Sequence, residues 1–443
     1  MKLPFQIRLS RPQIILAGFA AMILIGSLLL MLPVSSADHS VTPFINTLFT
    51  ATSAGCVTGL VVYDTATHWS LFGKLVLITL IQIGGLGVVT MTTLFTRLAG
   101  KRIGLNARST MRDAISAPHI GGIVQMTTFI VKMTFLFETI GAVAMMPVFI
   151  RDFGPVKGIG ASFFHSISAF CNAGFDLMGR RAPFSSLTAY QADPLINITI
   201  ILLILTGGIG FLTWDDMRHY KLKFHKYSTQ SKLILASSVF LIAVPAVIFW
   251  FAEFKDLPAG ERFLTSLFHA VTPRTAGFNT ADFNSFSDNG IALTILLMLV
   301  GGAPGSTAGG MKITTVAILF ISMVSVFRQD KETVVFRRRI PGEVFRNASA
   351  IFFLDGSLFI LGGMLISQAE QLPLRAAFFE SASAVATVGL TVGITPGLHT
   401  FSKILLVLMM YLGRVGGLTL IFAAVSPKNN GNARYPEDRM TVG

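Results

Sequence analysis

Charge is scarce in this 443-residue chain: Asp, Glu, Lys and Arg make up 13% of it, against 52% hydrophobic residues. So little charge cannot cover a water-facing surface of this size, which excludes an ordinary soluble protein and points to a polytopic membrane protein. Cysteine is scarcer still. Two residues, Cys56 and Cys171, cannot supply a disulfide framework, and they read as small buried side chains rather than a redox or structural pair. Acids number 22 against 35 bases, a net charge of +13. No basic and aromatic module accompanies the excess, so nucleic-acid binding is excluded. Also missing are a phosphate-binding loop, a metal-ligand spacing and any nucleophile with its base. The chain is therefore expected to be no enzyme, to hydrolyse no ATP itself and to carry no covalent cofactor.

What the chain has is glycine (41 residues) and phenylalanine (38), which suit membrane helices packed through small residues. Four segments bring a glycine to the end of a short apolar run: Cys56-Val57-Thr58-Gly59-Leu60, Cys171-Asn172-Ala173-Gly174-Phe175, Arg274-Thr275-Ala276-Gly277-Phe278 and Ala386-Thr387-Val388-Gly389-Leu390. The glycines are 115, 103 and 112 residues apart, the period of a whole structural unit rather than of a solenoid repeat. Register is kept outside them too. Phe49, Phe164, Leu267 and Phe379 each precede their glycine by ten residues, and Ser53, Ser168 and Ser383 by six.

Eight stretches are long enough to cross a bilayer, at 13–32, 69–97, 123–150, 192–217, 229–252, 288–327, 344–367 and 400–425. Between the members of each pair lies an apolar stretch too short to span: Thr42–Ala54, Gly158–Ala169, Gly260–Val271 and Leu372–Ala384. The expected fold is all-α and polytopic, with four tandem span, re-entrant pore helix, span repeats around a central pore. The repeats fall at 1–112, 113–226, 227–339 and 340–443. The N-terminus, the 97–112, 218–232 and 328–346 links and the tail carry 22 of the 35 Lys and Arg, so the positive-inside rule puts both termini in the cytoplasm and the glycine loops outside. The apolar run at 13–32 is too long for a signal-peptide core and reads as the retained first span.

Irregular backbone at membrane depth is tolerated where it is buried or lines a watery cavity. Four glycine loops, each fed by a short helix, therefore read as an ion selectivity filter. Glycine lets carbonyls turn inward, carbonyl rings replace an alkali cation's hydration shell, and the helix C-termini add partial negative charge. A single such glycine would read as a helix cap; four in register do not. The expected ion-binding backbone is Val57, Thr58 and Gly59, Asn172, Ala173 and Gly174, Thr275, Ala276 and Gly277, and Thr387, Val388 and Gly389.

On these residues, and on Thr272-Pro273-Arg274-Thr275-Ala276-Gly277-Phe278-Asn279-Thr280, Ala51-Thr52-Ser53, Asp176 and the closing Arg434-Tyr435-Pro436-Glu437-Asp438-Arg439 with Gly443, the chain resembles the Trk/Ktr/HKT superfamily of potassium transporters. Within it, the bacterial Ktr membrane subunit (KtrB-like) is the nearest type. The resemblance implies potassium uptake across the cytoplasmic membrane, potassium preference from four filter glycines, sodium as an activator, a homodimer in membrane lipid, and a KtrA-type cytoplasmic ring that binds ATP or ADP. It also implies a gate. Gly301-Gly302-Ala303-Pro304-Gly305-Ser306-Thr307-Ala308-Gly309-Gly310-Met311-Lys312 cannot remain a regular helix, and in the family this stretch obstructs the pore under the filter. The gate residues are Gly305, Ser306, Thr307, Gly309, Gly310, Lys312 and Arg414, the arginine anchoring the loop and adding an electrostatic barrier; the bland alternatives are a passive kink and a structural ion pair.

The glycine pairs Gly84-Gly85, Gly207-Gly208 and Gly416-Gly417 read as close packing. Glu138, Asp355 and Glu380 are intramembrane acids that could pair with bases, and His165 and His269 read as interior groups. An ion-coupled symporter is the alternative function. Parallel rather than inverted repeats favour a channel-like path over it.

Overall fold

The computed structural model describes residues 10–91, 96, 104–114, 121–417 and 419. Repeat one runs through α1 (Arg11–Met31), α2 (Phe44–Gly55) and α3 (Leu71–Leu86), followed by α4 (Leu105–Ala114). Repeat two is α5 (Ile123–Phe153), α6 (Pro155–Phe170), α7 (Pro194–Gly208) and α8 (Phe211–Tyr220). Repeat three is α9 (Thr229–Ala252), α10 (Ala259–Val271), α11 (Asp288–Met298) and α12 (Ile313–Phe327). A small antiparallel hairpin, β1 (Val334–Val335) with β2 (Arg338–Arg339), leads to α13 (Gly342–Glu370), α14 (Leu374–Val385) and α15 (Thr400–Val415) of repeat four.

The short helices fall where the apolar stretches place them, and proline sets their start. Pro43, Pro258 and Pro373 hold the N-cap positions of α2, α10 and α14, and Pro155 opens α6; the fixed φ of proline suits a first turn and its missing N–H costs nothing there. Side-chain caps start most of the second spans: Ser70 accepts from Gly73 N at 3.2 Å, Asp193 from Ile196 N at 3.0 Å and Ser287 from Gly290 N at 3.0 Å. Phe49, Phe164 and Phe379, ten residues before their glycines, turn into the protein core.

The second spans of repeats one, two and four differ from the expectation of continuous helices, whereas the interruption in repeat three falls on the expected glycine- and proline-rich segment. Among the described helices only α1, α5, α9 and α13 are individually long and apolar enough to cross a membrane. Helix α3 stops before Gly87 (φ 87°), α7 before Gly210 (φ 90°) and α15 before Gly416 (φ 86°), while 14 residues separate α11 from α12. In repeats one, two and four the cause lies three residues before the break. Gly84, Gly207 and Gly413 lie flush against the carbonyl oxygens of Gly55, Phe170 and Val385, the last residues of α2, α6 and α14, leaving no space for a Cβ. The helix meets the pore-helix end there, and the glycine three residues on takes a left-handed turn. In repeat two the turn is 96°. Gly416-Gly417 is thus not the counterpart of Gly84-Gly85 and Gly207-Gly208: the equivalent of Gly84 is Gly413.

Packing closes the repeats into a ring. Each second span lies on the pore helix of the next repeat: α3 on α6, α7 on α10, α11 on α14, and α15 back on α2.

Candidate ion pathway

The four glycine segments meet at one place. A Cβ at Gly59 would stand 2.6 Å from the carbonyl oxygen of Ala173, and one at Gly174 would stand 2.9 Å from that of Ala276. Gly277 abuts the carbonyl of Val388 in the same way, and Gly389 abuts that of Thr58. The contacts run from repeat one to two, three, four and back to one. They define a closed ring of four carbonyls, from Thr58, Ala173, Ala276 and Val388, each lying against the glycine of a neighbouring segment.

All four segments share a backbone shape. The glycines take φ of 101°, 68°, 78° and 94°, and the residues two before them, Val57, Asn172, Thr275 and Thr387, also have positive φ, of 58°, 58°, 70° and 50°. A left-handed β-branched residue costs on the order of 1–2 kcal/mol, and such strain concentrates at functional sites. Hydrogen bonds hold the shape. Thr58 N donates to Ser53 O at 2.7 Å, Ala173 N to Ser168 O at 2.7 Å and Val388 N to Ser383 O at 2.8 Å. The serines add their hydroxyls: Gly59 N donates to Ser53 Oγ at 3.0 Å and Gly389 N to Ser383 Oγ at 2.9 Å, whereas Ser168 Oγ donates to Phe175 O at 2.8 Å. Repeat three has no serine at this position, and Thr272 Oγ1 donates to Phe278 O at 2.5 Å instead.

Braces also run from pore helix to the segment beyond the ring. His165 Nε2 accepts from Leu177 N at 3.2 Å, and its Nδ1 lies 2.8 Å from Ala161 O, which fixes the neutral Nδ1–H tautomer. Glu380, nine residues before its glycine as His165 is before Gly174, accepts from the hydroxyls of Thr391 (2.8 Å) and Thr395. Its partners are threonines, not a base. Glu138 and Asp355 form no ion pair among the described residues. Cys56 and Cys171 are free and buried, with Cys171 Sγ 3.9 Å from Glu138 Oε1. His269 is ringed by Phe254, Phe268, Phe283 and Phe286.

Directly against the ring lies the irregular segment between α11 and α12. Ala303 N donates to Gly208 O at 2.9 Å, Thr307 N to Gly207 O at 3.2 Å and Thr307 Oγ1 to Phe170 O at 3.0 Å, all in repeat two. At its other end Gly310 N donates to Gly413 O at 3.2 Å, and Gly309 and Gly310 lie against Thr387 and Ala386 of repeat four. Lys312 Nζ folds back to Ala308 O at 2.7 Å rather than reaching out to the surface. Arg414 of repeat four donates to Thr307 O at 2.5 Å with Nη1, and to Gly84 O at 2.5 Å and Gly85 O at 3.1 Å with Nη2. One guanidinium thus joins repeats three and one, which face each other across the ring, so the side chain stands close to its axis. The loop and Arg414 together touch all four repeats.

The TrkH family, described as cation transport proteins, matches residues 5–432. The chain belongs to that family. The potassium/sodium uptake protein NtpJ of Enterococcus hirae is 39% identical to it over 454 residues, spanning 100% of this chain and 99% of that protein. The Ktr system potassium uptake protein B of Bacillus subtilis is 38% identical, covering 99% of this chain and 98% of its own length. The crystal structure of the potassium transporter TrkH from Vibrio parahaemolyticus shares the fold, with a TM-score of 0.75 at 18% identity over 96% of this chain and 87% of that one. A Trk/Ktr-type membrane protein of the cation-transport family, built from helices and re-entrant loops, is what the carbonyl ring belongs to. Two features of the site were not read from the sequence. Val57, Thr275 and Thr387 do not announce a left-handed backbone, although Asn172 tolerates one; only their common position two before each glycine does. The latch of Glu380 on Thr391 and Thr395 carries no charge pattern to detect.

Proposed function

We propose that the chain conducts potassium ions into the cell through the carbonyl ring, with loop 303–311 and Arg414 as the gate. The observation that carries this reading is the closed ring of Thr58, Ala173, Ala276 and Val388 carbonyls above a loop that, together with Arg414, touches all four repeats. Such a ring offers a dehydrated alkali cation the oxygens it loses. Four pore-helix C-termini point their negative ends at it. Beneath, a guanidinium near the axis opposes cation passage until the loop moves.

The names of the full-length relatives, a potassium/sodium uptake protein and a potassium uptake protein, have potassium in common and supply the ion. Further parts of the proposal are stimulation by sodium, assembly as a homodimer, a cytoplasmic KtrA-type nucleotide-binding ring as regulator, and both termini in the cytoplasm. The test is potassium and sodium flux in liposomes, with and without a ring subunit. Potassium uptake that follows its electrochemical gradient and rises with the nucleotide-loaded ring is expected. Obligatory movement of sodium or protons in fixed ratio with potassium would instead establish a symporter.

A further inference from the structure

Repeat two presents cations to the wrong solvent. Lys132 lies nine residues, about 13 Å, into the membrane-spanning α5, its side chain is exposed, and it has no ion pair or hydrogen bond among the described residues. Beside it the elbow between α7 and α8 opens a groove of about 710 Å³ lined by Phe129, Met133, Phe137, Ile209, Trp214 and Met217. Arg218 reaches the same groove from α8, its Cζ 4.8 Å from the centre of the Phe129 ring. The acids of α8 are engaged elsewhere: Asp215 faces His219 at 3.3 Å, and Asp216 accepts from Ser228 N at 3.0 Å and Oγ at 2.7 Å. Beyond α8 the chain reads Lys221-Leu222-Lys223-Phe224-His225-Lys226, with Leu222 99% exposed and Phe224 exposed as well. Cations interleaved with exposed apolar side chains belong at the membrane interface of the cytoplasmic leaflet.

We propose that this elbow binds one anionic phospholipid of the cytoplasmic leaflet, its phosphate between Lys132 and Arg218 and an acyl chain along the apolar groove. Two cations without acids at a membrane-facing surface call for an anion. A soluble phosphate would leave the apolar floor unused, and a zwitterionic lipid brings its own ammonium against the pair. A phospholipid with a net negative headgroup satisfies both halves. Occupancy has a consequence for the pathway, because Gly208 O accepts from Ala303 N at 2.9 Å and Phe211 N donates to Gly305 O at 2.7 Å. A lipid that fixes the elbow fixes the first part of the irregular loop, at Ala303 and Gly305. This regulatory half rests on the gate reading above; the binding half does not.

The experiment uses the full chain in nanodiscs and in detergent, with phosphatidylglycerol as the probe against phosphatidylcholine. Native mass spectrometry of the wild type is expected to retain phosphatidylglycerol, and the Lys132→Gln, Arg218→Gln double variant to bind it about 30-fold more weakly, the size that two interfacial cations give, with unchanged elution and helicity. In flux assays the wild type responds to the phosphatidylglycerol fraction and the double variant does not. Equal retention by both proteins overturns the site. Displacement of the lipid by inorganic phosphate alone, or elbow-dependent cross-linking to a soluble ring subunit in place of lipid, assigns the groove to another occupant and also overturns it. Lost lipid retention with flux still responding to phosphatidylglycerol refutes only the link to the gate.

Discussion

At Gly59 no other residue fits. Its φ of 101° disfavours any side chain, and a Cβ there would press on the Ala173 carbonyl of the neighbouring segment. Gly59→Ser is therefore expected to distort one carbonyl of the ring and admit sodium, lowering the potassium-to-sodium uptake ratio about tenfold, or about 1.4 kcal/mol. Uptake in a transport-deficient cell measures it; an unchanged ratio at normal expression would take Gly59 out of the filter. Glu380 makes a second case at this scale. Removing it takes away the acceptor of Thr391 and leaves Thr395 only the Thr391 hydroxyl at 3.2 Å, so Glu380→Ala should lower stability by about 1–3 kcal/mol and Glu380→Gln by clearly less, read as thermal unfolding in detergent. The glycines were legible in the sequence because only glycine suits the geometry. The glutamate's role was not, since its partners lie 11 and 15 residues away and carry no charge.

Among the elements, the pore helices were readable from short apolar stretches ended by glycine segments. The breaks in the second spans of repeats one, two and four were not. Hydropathy reports that residues belong in lipid and says nothing of direction, so 192–217 reads as one span although the chain turns by 96° within it. Contact with the pore-helix end explains the turn, and it can be tested. Gly207→Ala and Gly413→Ala should each destabilise the protein by about 1–3 kcal/mol through overpacking, whereas Gly160→Ala, with open space at its Cβ, should not; equal melting temperatures for all three would refute the packing account. The loop between α11 and α12 is the other irregular element. Shortening 303–311 should raise potassium flux while the ring keeps its selectivity. Arg414→Ala should do the same by freeing Thr307 O and removing a barrier on the order of a few kcal/mol. Flux that falls in a correctly inserted loop deletion would make the segment a structural kink.

For the molecule as a whole, fourfold repetition and register were visible in sequence, and the ring order was not, because nothing in the spacing says which segment neighbours which. The closing tail, Arg434 to Gly443, lies outside the described residues. Deleting it is expected to weaken dimerisation or coupling to the ring subunit without preventing insertion; cross-linking in detergent that still gives a dimer, with a normal response to the ring, would deny the tail that role.

The covalent linkage of the quarters has a further effect, visible at Arg414. A pore assembled from four identical chains would have to carry this arginine four times in one cross-section. With neighbouring guanidinium groups about 7 Å apart and an effective dielectric of about 20, each adjacent pair would repel by about 2 kcal/mol, and no loop carbonyls would be left to receive them. A single chain escapes that stoichiometry. One quarter supplies the cation, the quarter beside it supplies Gly84 and Gly85 as acceptors, the quarter on its other side supplies the loop, and the carbonyl ring keeps its near-fourfold form. Linking the repeats in one chain thus lets the carbonyl ring and the loop with its arginine differ in symmetry, so that a substitution in one need not be repeated in the other.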